Sequence, residues 1–190
     1  MIMLENDWLK VSIAHSGAEV REVIHKKNNI SYMWTGNEHY WGRVSPVLFP
    51  IVGKLTDDQY QLDGETYHMS QHGFLRDVIF DVDHQTTDHV SFIVHSSGRF
   101  TDVYPYEFKV IIHYILQKDS LIVQWEVENE NKQEMYFSIG AHPAFRIPLL
   151  RNETIEDYRL QLTQAHDKAV LEYELKNAMV HEKGVLHEVN

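Results

Sequence analysis

The chain has 190 residues, 43% hydrophobic and 24% charged, a balance that belongs to a folded domain with a core and not to a disordered segment. Its 17 Lys and Arg against 28 Asp and Glu give a net charge of −11, which argues against nucleic acid as a partner because phosphate neutralisation needs a basic surface. Cysteine is absent, so disulfides, thiolate nucleophiles and cysteine-held zinc are excluded.

One domain is the expectation at this length. The N-terminal residues reach charge at Glu5 without an apolar secretory core, and the apolar run Val110-Ile111-Ile112 stops at His113, far short of the roughly 18 residues of a membrane helix. The expectation is a soluble, cytoplasmic protein with no membrane contact.

In chain order, Leu9, Val11 and Ile13 alternate with Lys10 and Ser12, the period of a strand buried on one face. Lys26-Lys27-Asn28-Asn29 and Leu62-Asp63-Gly64-Glu65 have turn composition. Residues 41–55 place Gly42, Pro46, Pro50 and Gly53 inside an apolar stretch, which a central strand would not tolerate. Taken alone this is an edge or crossover segment, with Arg43 and Lys54 as surface charges. Residues 71–77 set Gly73 beside His72, where backbone can approach a ligand, and add the planar guanidinium of Arg76. The plainer reading is a turn in which His72 caps a strand end and Arg76 pairs with Asp77.

Val78, Phe80 and Val82, then Val90, Phe92 and Val94, predict two neighbouring antiparallel strands. Phe108 to Leu116 and Leu121 to Val127, joined by Lys118-Asp119-Ser120, predict a long hairpin. Met135, Phe137 and Ile139 predict another strand, and shorter ones are expected at Leu160 to Leu162 and Leu171 to Leu175. Pro143 holds His142 extended, so its imidazole projects in one direction. No window keeps helical periodicity, and the class is all-β.

Read in order, Pro46 to Leu55, Leu62-Asp63-Gly64 with Tyr67, His72-Gly73-Phe74 with Arg76, Tyr104-Pro105-Tyr106 with Phe108, and Gly140-Ala141-His142-Pro143-Ala144-Phe145 resemble the galactose mutarotase (aldose 1-epimerase) superfamily, nearest its LacX-like branch. The resemblance runs from the first strand to Leu150. It implies an antiparallel β-supersandwich and an isomerase that interconverts the α and β anomers of an aldohexose by acid/base ring opening. His142 resembles the general acid on the ring oxygen, and His72 the second histidine, which hydrogen-bonds the substrate. Lys54 falls where the family uses a sugar-binding arginine, keeping the charge without the bidentate fork. Arg43, Arg76 and Phe145 complete the expected substrate-binding set. No metal, nucleotide or redox cofactor is required by this chemistry.

The family's base is a glutamate near the end of a longer chain, so the resemblance implies that residues 1–190 form a single-domain, N-terminal portion of the sandwich. Such a portion is expected to be weak or inactive by itself and to self-associate as a homo-oligomer. Two other readings stand beside the isomerase: a sugar-binding module or sensor without turnover, and an enzyme acting on hexose 6-phosphates through clustered Arg43, Lys54, Arg76 and Arg99. A metal site on His68 and His72 is disfavoured, because Gly73 marks a turn and that spacing needs one helix face.

Overall fold

A computed structural model describes residues 1–161, 171–176 and 179–185. In chain order the strands are β1 (Ile2–Glu5), β2 (Leu9–Ile13), β3 (Val20–His25), β4 (Ile30–Ser31), β5 (Val47–Leu48), β6 (Gln59–Leu62) and β7 (Glu65–His68). They continue with β8 (Asp81–Gln85), β9 (His89–His95), β10 (Phe108–Gln117), β11 (Ser120–Asn129), β12 (Gly140–Ala141), β13 (Leu171–Lys176) and β14 (Met179–Val185). Helical structure among the described residues is limited to 3₁₀ turns at Thr56–Asp58, Leu75–Asp77 and Ile155–Asp157, and none of it is long and apolar enough to cross a membrane.

Contacts divide the chain into two units, Met1–Ile155 and Glu156–Asn190. In the second, β13 and β14 pair antiparallel with a register shift between Glu172 and Tyr173. The first carries two four-stranded antiparallel sheets, β1-β2-β3-β4 and β11-β10-β9-β8, with the small pairs β12-β5 and β6-β7.

The alternation along β10 decides which face is buried: Phe108, Val110, Ile112, Tyr114 and Leu116 are all buried and their neighbours are not. They join Val90, Phe92 and Val94 of β9 and Leu4, Val11 and Ile13 of the other sheet in one core. Each such side chain contributes roughly 1.5–3 kcal/mol on burial, so this shared layer is what holds the sheets together. Tyr114 also donates its hydroxyl proton to the Ala18 carbonyl at 2.6 Å, tying β10 to the turn before β3. Phe49 extends the core toward the small pairs, its ring centroid 5.2 Å from Phe108 and 6.0 Å from Tyr104.

The long hairpin forms with a two-residue connection, Lys118 taking a positive φ of 55°. Three expected strands do not form as read over their described residues. Val78 and Phe80 precede β8: the Phe80 N–H donates to the His15 carbonyl and the Val78 carbonyl accepts from Gly17, so the segment bridges to the β2–β3 loop. Residues 135–139 lie outside any strand, and pairing begins at Gly140. Leu160 and Gln161 are not in a strand either, while Leu162 lies outside the described residues.

Candidate active site

His72 and Gly73 both adopt left-handed backbone, with φ of 68° and 69°. Glycine takes that conformation at no steric cost, and at position 73 it is needed twice over, since a Cβ there would lie 2.2 Å from the Phe49 carbonyl oxygen. This close approach lets Phe74 and Leu75 donate their N–H groups to the same carbonyl at 3.1 and 3.3 Å. The turn is thereby locked to the segment after β5. His72 is fixed further: its N–H donates to the Gly53 carbonyl at 2.7 Å, and its Nδ1 accepts from the Gly53 N–H at 3.0 Å. A backbone N–H only donates, so Nδ1 carries a lone pair and neutral His72 bears its proton on Nε2. Burial, with smaller contributions from Arg76 and His142, lowers its pKa and favours that neutral form.

His142 follows β12, whose pairing with β5 continues outward. The His142 N–H donates to the Pro46 carbonyl at 3.1 Å, and the Ala144 N–H to Val44 at 2.8 Å. Because residues 46–53 hold both histidines, His142 at Pro46 and His72 at Gly53, their rings meet, with centroids 5.9 Å apart. Trp41 closes the other side of His142 at 5.0 Å, and His142 itself is exposed. A partly buried neutral donor thus stands beside a solvent-facing imidazole.

The cations are arranged differently from one another. Arg43 donates to Asp77 at 2.7 Å, and Arg76 approaches the other oxygen of Asp77 at 3.7 Å while donating to the Gln71 carbonyl at 2.7 Å. The Arg76 Nε is buried without a hydrogen-bond partner. Burial and then Arg43 depress its pKa, and Asp77 opposes them. Lys54 instead turns its amine to Asp58 at 3.4 Å, both side chains half-exposed. Phe145 bridges Met33 and is 52% exposed. His68 sits on β7 and His72 in the turn beyond, so they share no helix face. The described residues include no group of three His, Asp or Glu able to hold a metal ion.

Two contributors escaped the sequence reading. Trp41 gave no signal beyond its place beside Gly42. Glu19, 7% exposed, accepts from the Val44 and Ser45 N–H groups at 2.7 and 2.8 Å and from Arg21 at 2.8 Å, anchoring the start of the site segment.

Comparison with known proteins adds three findings. A family model described as aldose 1-epimerase matches residues 1–183. The chromosomal protein LacX of Lactococcus lactis subsp. lactis is 30% identical over 175 residues, 89% of this chain and 58% of that protein, so the chain spans little more than half its relative's length. Among solved structures, a galactose mutarotase related enzyme from Lactobacillus acidophilus superposes with a TM-score of 0.85 at 33% identity, covering 94% of this chain and 59% of the other. A galactose mutarotase-like protein from Lactobacillus casei ATCC 334 gives 0.74 at 41% identity, over 76% of this chain and 49% of the other.

Proposed function

Because the chain belongs to the aldose 1-epimerase family, we propose that its two histidines form the acid side of a mutarotase site acting on a free aldohexose. The observation that carries this reading is the 5.9 Å approach of His72 and His142, one neutral and backbone-tied, the other open to solvent. His142 gives its proton to the ring oxygen as the C1–O5 bond breaks, and the anomeric hydroxyl proton passes to a base. The product of that step is the open-chain aldehyde. Rotation about C1–C2 and the reverse proton transfers close the ring on the other face, so nothing is consumed. His72 donates its Nε2–H to a substrate oxygen near C1, and Arg76, Arg43, Lys54 and Phe145 hold the remaining sugar. The base is the glutamate expected from the family's C-terminal part.

A positioned acid or base contributes roughly 10²–10⁴ in rate. Polarimetry of freshly dissolved α-galactose and α-glucose tests the reading, with the 190-residue chain compared against a form extended at its C-terminus to the length of a LacX relative. Interconversion above the buffer rate that falls on His142→Ala supports it. A rate indifferent to His142→Ala in the active form defeats it.

One observation favours a phosphorylated substrate: Arg43 and Arg76 share the single carboxylate of Asp77, leaving a local excess of positive charge in an acidic chain. Glucose 6-phosphate turned over faster than glucose, with the advantage lost in Arg43→Ala, would select that substrate.

A further inference from the structure

A cavity of about 410 Å³ opens on the far part of the segment that follows Phe49. Its walls are Tyr60, Tyr104, Tyr106 and Tyr136 with the aliphatic Leu55 and Leu62. That volume falls within the range of roughly 300–1,000 Å³ common to small-molecule sites.

Its polar groups restrict what it can hold. Tyr60 donates its hydroxyl proton to the Val103 carbonyl, Tyr104 to the Tyr136 carbonyl and Tyr136 to Glu134, each at 2.9 Å. Three of the four hydroxyls have therefore spent their protons and can only accept, so the walls offer lone pairs and aromatic carbon. Gln61 is the remaining side-chain amide, and none of the lining residues is basic. A sugar or an anion would find too few donors. Carboxylates neighbour the lining residues: Glu134 accepts from Tyr136, and Asp63, next to Leu62 in the chain, is close enough to act on the ionisation of both Tyr106 and Tyr136. Aromatic faces with acidic neighbours and no competing cation attract an organic cation, whose charge interacts with the ring quadrupoles while its methyl groups take the apolar wall.

We propose that this tyrosine-lined cavity is a binding site for a quaternary alkylammonium compound, separate from the histidine pair. The inference does not depend on the mutarotase reading. Its selectivity comes from charge within an apolar shell, which matches the ligand's methyl groups to Leu55 and Leu62.

The test uses choline chloride and its uncharged isostere 3,3-dimethylbutan-1-ol, titrated into the whole chain at matched ionic strength. Ring resonances of Tyr60 and Tyr106 are followed by NMR. Saturable shifts with choline, at least about tenfold stronger than with the alcohol, are expected from the cation–π term. Asp63→Asn combined with Glu134→Gln should weaken choline by about threefold or more while leaving the alcohol unchanged. Asn is at home at the positive φ of 52° that Asp63 adopts in its hairpin turn, so this variant keeps the fold. Tyr106→Leu should abolish the effect at Tyr60. Equal binding of choline and the alcohol would reduce the cavity to an unselective apolar pocket and overturn the proposal. So would the absence of saturation by choline, or galactose shifting the same tyrosines more strongly.

Discussion

His72 and Gly53 hold each other through two hydrogen bonds, the His72 N–H donating to the Gly53 carbonyl at 2.7 Å and the Gly53 N–H donating to His72 Nδ1 at 3.0 Å. The second bond decides the chemistry of the ring, because a protonated Nδ1 would face a donor with a donor. The same pair joins the turn at residue 72 to the loop that carries Lys54. A shift in either would be felt by both the His72 ring and the Lys54 side chain.

His72 should therefore titrate below the ordinary histidine value of 6.5, with the Nε2–H tautomer when neutral. Burial is the main cause. The folded state then binds fewer protons than the unfolded one between the two pKa values, so the stability tied to His72 is complete above about pH 6.5 and is lost as pH falls through the lower, folded value. Long-range ¹⁵N–¹H correlation spectra over pH 4–8 read both quantities. A neutral ring protonated on Nδ1 would show that the Gly53 bond is not made in solution.

Gly73→Ala and Gly64→Ala separate two costs. Both glycines have positive φ, 69° and 86°, but a Cβ at 64 meets nothing within 4 Å while one at 73 meets the Phe49 carbonyl. Gly64→Ala should cost about 1–2 kcal/mol, the left-handed penalty alone. Gly73→Ala should cost at least about 3 kcal/mol, because backbone must move to relieve the overlap. Urea denaturation of the two variants measures the difference, and equal midpoints would refute the argument.

Glu19→Ala should destabilise by roughly 2–4 kcal/mol, since it removes the acceptor of two main-chain N–H groups and the partner of Arg21. Glu19→Gln should fall between, because an amide oxygen still serves Val44 and Ser45 but its NH₂ faces the guanidinium. The loss should reach the site, since Val44 also accepts from Ala144 two residues beyond His142. Thermal melts with histidine ring shifts as a second readout would reveal a purely local effect as a melt change without movement at His142.

The strands most legible in the sequence were those whose burial is one-sided over many residues. β10 and β11 pair along ten residues each, the alternation setting the buried face and the two-residue turn at Lys118-Asp119 the register. The alternation at Val78, Phe80 and Val82 was real in burial terms, with Phe80 1% exposed, yet only Val82 joins a ladder, opposite Phe92 of β9, while Val78 and Phe80 bond to residues 15 and 17. Side-chain period cannot tell those two cases apart. β4, β5 and β12 have two residues each and exist because tertiary contacts bring partners together, which no local pattern announces. At the site, His72-Gly73 and His142-Pro143 were visible as constrained dipeptides. Their meeting was not, because it depends on β5 receiving the turn on one side and β12 on the other.

Trp41 should act on His142 as a positioning residue. Its ring lies 5.0 Å from the imidazole at 44°, and its backbone is doubly tied, the N–H donating to Asn37 at 2.8 Å and the carbonyl accepting from Trp34 Nε1 at 2.8 Å. The indole is thus fixed by groups other than its own side chain, and truncating it should leave the loop in place while freeing the exposed imidazole to rotate. A misplaced acid loses on the order of tenfold or more in turnover, whereas ground-state sugar contacts made elsewhere are untouched. Trp41→Ala should then lower kcat at nearly constant KM in an active form of the enzyme, and Trp41→Phe should restore much of it by keeping an aromatic face. A spectroscopic measurement checks the contact without turnover. At one fixed pH, the ring current of an indole 5.0 Å away displaces the His142 ring-proton resonances, so Trp41→Ala should move them. Unmoved His142 resonances in that variant would remove Trp41 from the account of His142.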